Sequence, residues 1–378
     1  MDRETPSTVQ MLNASINETV AIASNRKRMY ISEPLGMAIT RLILFGMLFL
    51  AAVIGNYFVF TVFVRSGRLR TFSYCLIMNL AVSDFLSILG VPFLLINQQL
   101  QPTWIYGSLL CRLINPSQVV CGLVTTNVHV AIAIDRYSSI VRPLRYTPCC
   151  TGCHSYKRLM VVSVIWLLAL LCSAPAYAFR ELYTVVTPSG VKLEFCIERF
   201  PSMGNLKYGW RHVYSIFLFV TNYFLPISIS TVLYVNIVHS LKKTERNRKT
   251  LGRKIRQTFQ GEAKVDNVTI YLERRFISVM IMIIVVFFFC YLPYQVVFLL
   301  SEFNYGVESP YFRILLNIVY FLTWLPNAVN PICFGAMDRR YAKAFRKICS
   351  SFREKSRKSN QKGSLSRGQS TRLTEEEV

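Results

Sequence analysis

The residues able to do chemistry in this sequence are few, and they sit in apolar surroundings. Asp84 lies in the middle of a long apolar run, where an ionised carboxylate costs several kcal/mol unless paired or solvated. Arg136, between Asp135 and Tyr137, closes a second run, and Glu273 opens a third. A partly desolvated charge pair biases a two-state equilibrium by about one to a few kcal/mol. Pro226, Pro293 and Pro331 each interrupt helix hydrogen bonding inside a run, and such breaks make hinges. His129 places a titratable ring among apolar neighbours and reads as a neutral, hydrogen-bonded core histidine. No His/Glu cluster or Ser–His–acid set of credible spacing accompanies these groups. They suit switching rather than bond-making, and the chain is not expected to be an enzyme. Cys149-Cys150-Thr-Gly-Cys153-His154 has metal-like residue types at irregular spacing, which fits reduced or acylated thiols better than zinc.

Hydrophobic residues make up 52% of the chain and charged residues only 17%, with charge gathered at the ends and between apolar runs. Soluble domains carry about a quarter of their residues charged. The net charge of +23 does not mark a nucleic-acid binder, because no basic stripe is interleaved with stacking aromatics. It fits the surface of a membrane.

Seven apolar stretches approach the roughly 20 residues that span a bilayer: about Leu42–Val64, Tyr74–Ile96, Leu113–Ile134, Leu159–Phe179, Val213–Val238, Phe276–Leu300 and Ile314–Phe334. The third carries Asn115, Gln118, Asn127 and His129, so protein rather than lipid should surround it. Most of the 43 Lys and Arg fall in the loops and tail that an outside amino terminus would leave in the cytosol, and the positive-inside rule selects that topology. The sequons at Asn13 and Asn17 then face outward, as glycosylation requires, and the third sequon, at Asn267, should be silent. No signal peptide is visible, so the first run should act as its own insertion signal.

These signals divide the chain into an extracellular disordered amino terminus (1–37), a seven-helix domain (38–336), a short amphipathic helix (337–350) and a disordered cytosolic tail (351–378). In the third part Tyr341, Phe345 and Ile348 recur at helical spacing opposite basic side chains. That pattern suits a helix lying on the inner leaflet's lipid, with Cys349 a candidate palmitate site. Tail Ser and Thr offer phosphorylation sites whose charge would recruit an arrestin.

Landmarks recur in order along the spans: Gly55-Asn56; Asn79-Leu-Ala-Val-Ser-Asp84; Cys111 then Asp135-Arg136-Tyr137; Trp166; Pro226 with Tyr234; Cys290-Tyr-Leu-Pro293; Asn330-Pro331-Ile-Cys-Phe334. Over roughly residues 40–350 the chain resembles rhodopsin-like G-protein-coupled receptors. The resemblance implies an all-α seven-transmembrane bundle in the plasma membrane that activates a heterotrimeric G protein. It implies that Glu273 pairs with Arg136 to hold the sixth helix inward, and that Phe287 and the break at Pro293 transmit a ligand's push. It also implies a Cys111–Cys196 disulfide, and an allosteric sodium ion held by Asp84, Thr125 and Asn330, the only cofactor. Tyr291 stands where Trp is usual and Phe334 where Tyr is usual, which removes a hydroxyl contact to Tyr234.

Two β-prone stretches flank Thr187-Pro-Ser-Gly190 and end at Cys196, a hairpin signal. A hairpin lid resembles the peptide-receiving members of the family. Gln118 stands where amine receptors carry Asp, and the seventh span has no Lys for retinal. Gln118 with Glu302 resembles receptors of the neuropeptide Y and RF-amide type. That likeness implies an extracellular peptide ligand: Glu302 reads a ligand arginine, Gln118 bonds a terminal amide, and Glu194, Glu198 and Tyr291 complete the site. A lipid or nucleoside receptor of the same fold is the alternative. A transporter is a further one, although no internal repeat is visible.

Overall fold

The computed structural model describes residues 34–65, 72–100, 103–142, 151–187, 190–201, 209–255 and 263–337, together with 342, 343, 346, 347 and 350. Seven helices in it are long and apolar enough to cross a membrane: Leu35–Arg65, Phe72–Asn97, Gly107–Val141, Tyr156–Ala178, Trp210–Asn247, Glu273–Glu302 and Phe312–Gly335. They are called the first to seventh spans below. All but the fourth, which stops at Ala178, run past their apolar stretch at both ends, because a helix that satisfies its own backbone need not stop where the hydrocarbon does.

The polar third span is central. It packs on the second, fourth and fifth spans and on the first strand of a hairpin. Of its most apolar window 56% is buried, against 17% in the fifth span, whose surface is left for lipid. Small side chains and amides join the helices. A Cβ at Gly55 would stand 2.9 Å from Cβ and Cγ of Pro331, so only glycine permits this approach of the first and seventh spans. The Asn56 amide donates to the carbonyls of Ala52 and Asn327, both at 2.9 Å. Trp166 Nε1 donates to Asn79 Oδ1 at 2.9 Å, joining the fourth span to the second.

The fifth span is α-helical over Trp210–Phe219, passes through a π-helical turn at Val220–Phe224 and resumes as an α-helix over Leu225–Ile255. Pro226 supplies no N–H and its ring crowds the carbonyl four residues back, and the wider turn relieves both. The break expected at this proline is therefore a π-bulge.

Strands β1 (Arg180–Val186) and β2 (Lys192–Glu198) form the expected antiparallel hairpin, with Leu182 opposite Cys196. Thr187 N donates to Val191 O at 2.9 Å, and Gly190 takes φ of +79°, a conformation that suits glycine. Cys196 is bonded to Cys111 with a Cα–Cα distance of 5.6 Å, which ties the hairpin to the third span. Trp104 is fully buried beside it; its backbone N–H donates to Glu194 O at 2.6 Å and its indole N–H to Gly107 O at 2.8 Å.

Beyond the seventh span Ala342, Lys343, Arg346, Lys347 and Ser350 are helical, and the three basic residues are exposed. The apolar residues of that helix and Cys349 lie outside the described residues, as do Asn13, Asn17 and 351–378. Among the described residues no cluster of three or more His, Cys, Asp or Glu forms a metal-type site.

Candidate functional site

At the hairpin end of the bundle the third, fifth, sixth and seventh spans converge on a cavity of about 270 Å³, bounded by the ends of both strands. Its wall is rich in carboxamides: Asn115, Gln118, Asn222, Gln295 and Asn327. Gln118 is fixed from the second span. Its Oε1 accepts from Ser87 Oγ at 2.9 Å, and its amide nitrogen fills the space a side chain at Gly90 would take. Tyr291 lines the floor and stacks on Phe287 at 4.2 Å between ring centroids. Phe287 in turn lies 5.8 Å from the His129 ring. This chain thus connects the cavity floor to the middle of the third span.

The acids are arranged differently from expectation. Glu198 lines the cavity, but it is already paired with Arg180, the other charged residue of the wall. Burial lowers the pKa of Arg180, and the charge of Glu198 works against that shift. Glu302 does not line the cavity. Its carboxylate accepts from Arg211 Nη2 at 2.7 Å and from Ser215 Oγ at 3.3 Å. Glu194 also lies off the wall, and its carbonyl receives Trp104. Neither Glu198 nor Glu302 waits bare for a ligand cation, because a desolvated carboxylate recruits whatever arginine the fold offers. Arg180 opens β1 just after the fourth span, and Arg211 lies in the first turn of the fifth.

Midway along the bundle Asp84 is fully buried. Asn330 Nδ2 donates to its Oδ2 at 2.9 Å and Thr125 Oγ1 to its Oδ1 at 3.5 Å. Asn330 Oδ1 is buried with no hydrogen-bond partner. A carboxylate, a hydroxyl and an unpartnered amide oxygen on neighbouring residues are the oxygen donors a hard cation takes. The Asn56 amide nitrogen does not donate to Asp84, since it serves two carbonyls. His129 is buried as expected, but its Nε2 has no hydrogen-bond partner, which corrects the reading of a hydrogen-bonded histidine. Tyr234 is the same: its hydroxyl is buried and unpartnered, in a core that contains Phe334.

At the opposite end Arg136 donates to Asp135 Oδ2 at 2.7 Å and also to Ser73 Oγ, which itself donates to Asp135 at 2.5 Å. Its guanidinium lies 4.9 Å from the centroid of the Phe276 ring. The expected pairing with Glu273 is not found. The adjacent carboxylate and Ser73 hold the guanidinium within the second and third spans, and the sixth span offers it a ring instead. Tyr137 packs against the core at this end and lies 5.6 Å under Arg142. The importance of Ser73 has no signal in the sequence.

Seven spans, a disulfide-tethered hairpin over a polar cavity and a half-buried arginine network at the far end define a multi-pass membrane receptor. A family described as "7 transmembrane receptor (rhodopsin family)" matches residues 55–334. The chain belongs to that family: it is a rhodopsin-like G-protein-coupled receptor and not an enzyme. It is 26% identical over 310 residues to human galanin receptor type 1, covering 81% of this chain and 80% of that receptor. It is 28% identical over 314 residues to the Drosophila melanogaster neuropeptide F receptor, covering 81% and 61%. To the Xenopus laevis neuropeptide Y receptor type 1 it is 28% identical over 316 residues, covering 82% and 80%.

Proposed function

We propose that this receptor is activated by an extracellular neuropeptide whose amidated end enters the carboxamide-lined cavity. The observation that carries the reading is the cavity wall: five carboxamides and several tyrosines, with its one acid and one arginine paired to each other. Such a wall recognises a neutral donor–acceptor group and disfavours a free carboxylate, which would have to break the Arg180–Glu198 pair. The names of the relatives, which are receptors for galanin, neuropeptide F and neuropeptide Y, support a peptide ligand. Gln118 bonds the terminal amide, and a ligand arginine competes with Arg211 for Glu302. The hairpin end faces outside, in line with the basic loops at the other end and the sequons at Asn13 and Asn17.

The push of the ligand on Tyr291 and Phe287 swings the inner half of the sixth span outward about Pro293, and Arg136 leaves its Asp135–Ser73 cage to receive the G protein. Glu273 acts on the same movement from the start of the sixth span, and Pro331 gives the seventh its own hinge. A sodium ion held by Asp84, Thr125 and Asn330 favours the resting state by offsetting the charge of a buried carboxylate. Arrestin binds the phosphorylated tail, and Cys349 carries a lipid.

The test is a screen of matched amidated and free-acid neuropeptides on cells expressing the full chain, read by nucleotide exchange on several G proteins. Activation by amidated members only is expected. Activation by lipids or nucleosides alone rejects the peptide reading.

A further inference from the structure

A second cavity, of about 650 Å³, lies outside the bundle between the fourth and fifth spans at the hairpin end. Leu171, Cys172, Pro175 and Phe179 form one wall; Trp210, Val213, Tyr214 and Phe217 form the other; Phe200 and Pro201, which follow β2, close its outer end. The cavity is a recess in the lipid-facing surface. Leu171, Trp210, Val213 and Phe217 are all exposed from protein, and so are Leu167, Leu168 and Ile216 beside them. No water is available at that depth to fill it, and an empty recess would forfeit dispersion contact along its whole lining.

We propose that this recess is a binding site for one acyl chain of an outer-leaflet phospholipid, which enters sideways between the two spans. The chemistry of the wall selects the ligand. Tyr214 donates its hydroxyl proton to the carbonyl of Cys172 at 3.2 Å, so that proton is not available to a polar guest. A sterol lodged beneath Phe200 and Pro201 would have to desolvate its own hydroxyl, whereas an acyl chain carries no polar group to desolvate. At the lip Trp210 brings an indole, a donor only, to the first turn of the fifth span, where tryptophan suits the membrane interface. An ester carbonyl, an acceptor only, complements it. Tyr214 also lines the ligand cavity, so the bound chain rests against a residue of that site. The assignment to the outer leaflet rests on the orientation given under Proposed function; the recess and its lining do not.

The experiment reconstitutes the full-length receptor in phosphatidylcholine nanodiscs with a tracer of phosphatidylcholine bearing a photoreactive group on one acyl chain. Cross-linked segments are mapped by mass spectrometry, and a parallel sample uses a photoreactive sterol. Acyl label concentrated on Leu171–Phe179 and Trp210–Phe217 is expected, with a several-fold loss in Val213→Trp and in Leu171→Trp, which fill the recess from opposite walls. Ile216→Trp, on the same helix but outside the recess, should label as the unaltered chain does. Label spread evenly over the lipid-facing helices, label from the sterol only, or equal loss in all three variants overturns the proposal. None of these outcomes depends on a peptide agonist, so failure here is distinct from failure of the ligand reading.

Discussion

Arg211 Nη2 stands 2.7 Å from Glu302 Oε1 and ties the first turn of the fifth span to the last residue of the sixth. The acid side chain is 6% exposed and the arginine 54%, which makes the acid the fixed partner and the arginine the exchangeable one. A carboxylate so desolvated needs a cation, whether the chain or a ligand supplies it.

Arg211→Ala should therefore destabilise the ligand-free receptor by about 1–2 kcal/mol, less than a fully buried pair because the arginine is half exposed. Adding Glu302→Gln should recover most of the loss, since no charge is then left stranded. Thermal melting of the purified receptor measures both. Equal loss in the single and double variants would show that the pair does not matter to stability.

Asp135→Asn removes the anion that holds Arg136, and should raise basal nucleotide exchange about fivefold, the equivalent of roughly 1 kcal/mol in the resting–active balance. Arg136→Ala should abolish coupling without changing surface expression. Basal exchange that stays flat in Asp135→Asn would mean that Ser73 and Phe276 suffice to hold the arginine.

Because the Tyr234 hydroxyl is buried without a partner, Tyr234→Phe should leave the melting temperature unchanged or higher, within about 0.5 kcal/mol. In a Phe334→Tyr background, where a second hydroxyl is within the same core, the substitution should instead cost about 1 kcal/mol in the active state. A double-mutant cycle on agonist-independent exchange reads the difference.

Gly55→Ala places a methyl 2.9 Å from the rigid ring of Pro331 and should cost about 1–3 kcal/mol by overpacking. Gly122→Ala meets only the movable amide of Asn222 at 3.1 Å and should cost clearly less. Melting temperature and surface expression give the ranking, and a reversed order would place the helix contact elsewhere.

Much of this was legible beforehand. The hydrophobic runs, the hairpin signal around Thr187–Gly190 and the polar character of the third span led to the architecture found. Gln118, Tyr291 and Glu198 were expected in one site and line one cavity, and Asp84 lies beside Thr125 and Asn330. What failed was the choice of partners. Glu273 was matched to Arg136, where Asp135 and Ser73 hold it. Glu302 was left open for a ligand, where Arg211 occupies it. His129 was given a hydrogen bond that its Nε2 does not make. Arg180, which pairs with Glu198, was not singled out.

The physical reason is one of range. Span number, span position and turn chemistry follow from a residue's own solvent preference and its near neighbours, so the order of residues fixed them. Which arginine reaches which carboxylate depends on the distance between helices far apart in the chain. A buried charge takes the nearest partner in space, and only the packed bundle determined which one that was.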